Sequence, residues 1–256
     1  MTAPDRPGAV RRAARWLRRT ASTVRLDVRL LWRNKIYTVS LIVSALLGVA
    51  LRVFFDPGQA AWALPVIYLL IVGASTYFIG AAMVLLEKSQ GTLAALRTSP
   101  LRPGSYLVAK MLSLGSLLAA ECAVLYLVGF GGAEAGARVE RWWSLGLGLV
   151  LLCALQTAIG LGQVAPHRSV TSFLVPGAAL IGSVLQLPVF FVMEAGPPWL
   201  WYLIPTHGAF LLILGAWRDL EAWQWLYAAG LGTVAALWSI RWARRRLEKH
   251  VGWMRR

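Results

Sequence analysis

Apolar runs of about twenty residues recur along the chain with few charges inside them, and each is long enough to cross roughly 30 Å of hydrocarbon at 1.5 Å per residue. No other feature restricts the fold as much. Lipid offers no hydrogen bonds, so a spanning backbone must satisfy its own, as a helix or as a closed barrel. The runs are continuous rather than alternating, which excludes a β-barrel. Only 14% of residues are charged and 58% are hydrophobic, with a mean hydropathy of +0.60, against about 25% charged in a soluble domain. The runs predict an all-α membrane protein with six transmembrane helices at 36–55, 62–86, 104–130, 142–165, 170–193 and 223–243. Between the last two, segment 194–222 is broken by Gly196, Pro197, Pro198 and Pro205. It predicts two short re-entrant helices, tolerated at depth only where protein or a wet cavity surrounds them.

The net charge is +15, from 26 Lys+Arg against 11 Asp+Glu. In this setting basic flanks set topology and touch anionic lipid, so no nucleic acid is implied. Most of the basic residues collect on one side: in 1–35, in 87–110, at Arg168 and from Arg241 onward. Arg52, Arg138, Arg141 and Arg218 fall on the other, among Asp56, Glu134, Glu140, Glu194, Asp219 and Glu221. That asymmetry predicts both termini in the cytoplasm of a multi-pass protein. Residues 1–35 read as a basic segment carrying an interfacial elbow helix. Leu17, Val24, Val28 and Leu31 fall within about 60° on a wheel of 3.6 residues per turn, with Arg11, Arg15, Arg18, Arg25, Arg29 and Arg33 opposite. Residues 36–256 read as one six-span domain with a polar segment at 87–103, the re-entrant segment at 194–222 and a basic tail at 244–256.

The stretch 87–110, EKSQGTLAALRTSPLRPGSYLVAK, is too polar to span yet is ordered in its signals. Leu93 and Leu96 share a face of a short helix that starts at Gly91-Thr92 and stops at Ser99-Pro100, because the residue before proline avoids the α region. The pattern Glu87, Gly91, Thr92, Leu93, Leu96, Ser99, Pro100 and Leu101, followed by Tyr106, Leu107 and Lys110, resembles the signature of type-2 ABC exporter permeases. In that family it forms the coupling helix between the second and third spans, where the ATPase docks. The elbow, the six spans and the broken segment before the sixth match the same layout. The size and the Pro205-Thr206-His207 segment are similar to drug-export permeases, including the fluoroquinolone-export type. The resemblance implies Glu87, Gly91, Thr92, Leu93, Leu96, Ser99 and Pro100 as ATPase-coupling residues. It also implies two ABC ATPase subunits as partners and a second permease, either an identical copy or a sister chain.

The chain has no G-x-x-x-x-G-K-[ST] phosphate loop, so nothing here cradles ATP phosphates, and ATP and Mg belong to the partner. The chain reads as a transport subunit without catalytic residues and without a metal site, since His167, His207 and His250 are scattered and Cys122 and Cys153 fall inside spans. Ionisable and amide groups in spans are functional candidates. Glu121, with Ser113 and Ser116 on nearby turns, and Gln156, Gln163 and Gln186 either line a pathway or join helices. Pro176 and Pro188 predict a kinked fifth span. The competing readings are an ion-gradient-driven carrier, which would show internal repeats and more intramembrane charges, and a non-transporting scaffold or immunity protein.

Overall fold

The structure, a computed structural model, describes residues 9–92, 103–131 and 138–252. Helix α1 (Ala9–Arg33) is the amphipathic segment. A turn follows in which Lys35 takes a left-handed φ of 57°, and α2 (Ile36–Phe54) begins at once. The second apolar run is built from α3 (Ala60–Ile67), a π-helical turn at Tyr68–Gly73 and α4 (Ala74–Ser89). Then come α5 (Pro103–Phe130) and α6 (Trp142–Val164). The fifth run comprises α7 (Val170–Leu180), a π turn at Ile181–Leu185 and α8 (Val189–Val192). The broken segment holds α9 (Pro198–Trp201) and α10 (His207–Leu214). Helix α11 (Ala222–Leu247) closes the bundle.

Five of these stretches are long and apolar enough to cross a membrane: Ile36–Phe54, Pro57–Ser89, Pro103–Phe130, Trp142–Val164 and Val170–Val192. The expectation was six. Helix α11 has the length, at 26 residues, but Gln224, its tryptophans and the arginines from Arg241 dilute its apolar content below that of the others. The fifth run is interrupted as its prolines predict, with Pro176 inside α7 and Pro188 opening α8.

Helix α6 is the hub. It packs against α4, α5, α10 and α11, and 72% of its most apolar window is buried, against 22% for α2 and for the fifth run. A Cβ at Gly160 would sit 2.7 Å from the carbonyl oxygen of Tyr77, so only glycine lets α6 and α4 approach this closely. Helix α10 is buried along its whole length between α6 and α11, which meets the requirement that a short interrupted helix be enclosed by protein. At the end bearing residues 138–142, Arg141 pairs with Asp219 and donates to the Gly215 and Arg218 carbonyls.

Candidate functional site

At the opposite end, α4 runs out of helix at Glu87–Ser89 and the chain turns through Gln90 and Gly91. Gly91 has φ of 71°, with no atom within 4 Å of where a Cβ would stand. The glycine therefore answers a backbone need, the left-handed residue that ends a helix. The Gly91 amide donates to the Lys88 carbonyl at 3.2 Å, and Thr92 Oγ1 donates to the Glu87 carbonyl at 3.0 Å. These bonds satisfy carbonyls that the last turn leaves open. Leu93, Leu96, Ser99 and Pro100, assigned to the coupling helix, lie outside the described residues.

Glu87 is held on both carboxylate oxygens. Tyr106 Oη donates to Oε2 at 2.7 Å and Lys110 Nζ to Oε1 at 2.5 Å. Tyr106 and Lys110 stand one turn apart on α5, so they share a face. Lys110 also reaches Asp27 Oδ1 of α1 at 2.9 Å. Its side chain is 0% exposed, and its ammonium lies 5.3 Å from the Tyr106 ring centre. A buried ammonium is tolerable only when paired and hydrogen-bonded. Here two carboxylates from two other helices supply the pairing, and one cation joins α1, α4 and α5. Burial pushes the Asp27 carboxyl above its ordinary value while Lys110 pulls it down. Asp27 Oδ2 has no hydrogen-bond partner among the described residues.

Lys88, the next residue, faces the other way. Its ammonium donates to the carbonyls of Val164, Ala165 and His167 at 3.3, 2.6 and 2.8 Å. A cation thus caps the C-terminal end of α6, where unpaired carbonyls and the helix dipole favour positive charge. Adjacent residues at the end of α4 therefore latch it to α1 and α5 on one side and to α6 on the other.

The sequence motif includes Tyr106 and Lys110 but not Asp27 or a role for Lys88. A signal for Asp27 was present: it is the one acid of α1, and it lies next to the apolar stripe on the helical wheel. That stripe needs correction. Thr20, Asp27 and Leu31 are the buried positions, Val24 and Val28 are half-buried, and Leu17 is 58% exposed. Nothing in the sequence marks Lys88 as a cap for a helix more than seventy residues away.

Between α1, the end of α4 and the start of α7 lies a cleft of about 1080 Å³. Leu26, Leu30, Ile79, Met83 and Leu86 give it apolar walls; Arg33 and Arg168 stand among its lining, and Asp27, Glu87 and Tyr106 border it.

The polar groups read from the spans sit deeper. Glu121 accepts from Ser75 Oγ of α4 at 2.8 Å. Its expected neighbours turn elsewhere: Ser113 Oγ donates to the Lys110 carbonyl, and Ser116 Oγ lies 2.6 Å from Tyr37 Oη. Gln163 accepts from Tyr77 Oη and donates to the Pro176 carbonyl, and Gln186 Nε2 donates to the Leu70 carbonyl at 2.6 Å. That carbonyl lies within the π turn of the second run, where the α-helical pattern is interrupted. Gln156 is fully buried, and neither amide atom has a partner among the described residues. His207 has neither ring nitrogen bonded among the described residues. It packs edge-on to Phe191 and Tyr202, with centroids 4.9 and 4.8 Å away. Cys122 and Cys153 are free and buried.

The sequence profile of the Fluoroquinolones export permease protein family matches residues 18–253. Two relatives named Fluoroquinolones export permease protein, from Mycobacterium tuberculosis strains CDC 1551 / Oshkosh and ATCC 25618 / H37Rv, are each 28% identical over 238 residues. The match covers 91% of this chain and 96% of each relative.

Proposed function

The chain belongs to the Fluoroquinolones export permease protein family, and on that premise we propose that it is the transmembrane subunit of an ABC exporter whose motor is a separate ATPase. Two permease chains, identical or sister, enclose a pathway, and two ATPase subunits dock against the basic end in the cytoplasm. ATP and Mg bind to those subunits. The cargo is a hydrophobic or amphipathic compound, drug- or lipid-like, moved out of the cytoplasm or the inner leaflet. In this reading α11 is the sixth span, α9 and α10 are re-entrant, α1 is an elbow in the membrane interface, and residues 87–103 are the coupling segment.

One observation carries the mechanism: the turn that leaves α4 is tied by adjacent side chains to three other helices. A push on 87–103 reaches α1 and α5 through Glu87 and Lys110, and reaches the hub α6 through Lys88. Closure of the motors then tilts several helices together, because the linkage is short, charged and screened from water, where electrostatics are strong. Glu121, Gln156, Gln163 and Gln186 stand as pathway candidates. The bonds of Glu121, Gln163 and Gln186 to neighbouring helices favour a joining role for those three, while Gln156 keeps an uncommitted amide. Membranes holding this chain with its ATPase should export a fluoroquinolone in an ATP-dependent way. Export that persists with no ATPase, driven by a proton gradient, contradicts the reading.

A further inference from the structure

The cleft beside the latch has the chemistry of a lipid site, and we propose that it holds an anionic phospholipid of the inner leaflet. The inference rests on the orientation given above, with the basic end facing the cytoplasm. The pocket, at about 1080 Å³, sits at the top of the usual range for small-molecule sites, about 300–1,000 Å³. Apolar side chains form about half of its lining, and Leu26, Leu30 and Leu86 are exposed at 57%, 43% and 43%. Acyl chain is the natural cover for such a surface at membrane depth. The charges select the headgroup. Arg33 and Arg168 line the cleft from two different elements, both exposed, and neither forms a hydrogen bond or ion pair among the described residues. Neither acid bordering the cleft pairs with these arginines: Glu87 bonds Tyr106 and Lys110, and Asp27 bonds Lys110. Two unpaired guanidiniums lining a partly apolar trough fit a phosphate group, to which Arg binds through paired N–H donors. A lipid seated there would brace α1 against the start of α7 and lie against the coupling latch.

The test measures lipid retention by native mass spectrometry of the purified full-length chain, titrated with phosphatidylglycerol or phosphatidylcholine. This readout needs no ATPase, so it is independent of the transport reading. Phosphatidylglycerol should bind about tenfold more tightly than phosphatidylcholine. The double variant Arg33→Gln/Arg168→Gln should lose that preference. The control Arg25→Gln/Arg29→Gln, which removes the same charge from α1 outside the cleft, should keep it. Equal binding of the two lipids, or equal loss in both double variants, overturns the proposal, because basic surface charge alone would then account for the binding. One-for-one displacement of the lipid by a fluoroquinolone also overturns it and makes the cleft a cargo site.

Discussion

Lys110 is the residue on which the end of the bundle around Glu87 depends. Removing one partner of a buried ion pair leaves the other charge unpaired and costs about 3–5 kcal/mol, whereas replacing the whole group by neutral residues is often close to neutral. Lys110→Met should therefore lower the unfolding temperature of the detergent-solubilised protein sharply, and the triple variant Asp27→Asn/Glu87→Gln/Lys110→Met should recover most of it. A triple variant as unstable as the single one would show that packing, not charge, sets the cost. Asp27 adds a pH dependence. Its carboxyl is raised above 3.8 in the folded protein, so the folded state holds a proton that the unfolded chain has released. The resulting stabilisation is complete below the ordinary carboxylate value and fades as pH rises through the folded one. Asp27→Asn should flatten the stability profile at pH above the ordinary carboxylate value; an unaltered slope would assign it to another group.

At the scale of elements, helix existence was legible from the apolar runs and helix interruptions only in part. Pro176 and Pro188 announced the broken fifth run, but the π turn at Tyr68–Gly73 had no comparable mark beyond Pro65. Gly91 was legible as the start of a short helix, but not as the positive-φ residue that follows the end of α4 at Ser89. The contacts that give Glu87 its role were not legible, because Asp27, Glu87 and Lys110 meet only when helices distant in sequence pack together. Lys88 offers the element-scale test. Lys88→Gln replaces a three-donor cation by one amide and leaves carbonyls at the end of α6 without a charged partner. Hydrogen exchange over 163–167 should quicken by about tenfold, the equivalent of ~1.4 kcal/mol, with exchange in 145–155 unaltered. No change at either segment would remove Lys88 from the account.

For the whole molecule, the account requires that the latch face the cytoplasm. Cysteines placed singly at exposed Gln90 and Arg138 should react with a membrane-impermeant maleimide from opposite sides, Gln90 from inside and Arg138 from outside. The native Cys122 and Cys153 are buried and should stay silent. Labelling at Gln90 from outside would invert the topology and end the coupling argument. The central claim is that a push on the turn after α4 travels through Glu87, Lys110 and Asp27 into the helices. The most direct test reconstitutes the permease with its ATPase and measures substrate moved per ATP hydrolysed, for the native chain and for the neutral triple variant. The account predicts assembly and hydrolysis within about twofold of native, with the ratio of transport to hydrolysis lower by about tenfold. A triple variant that transports as much per ATP as the native chain would contradict it.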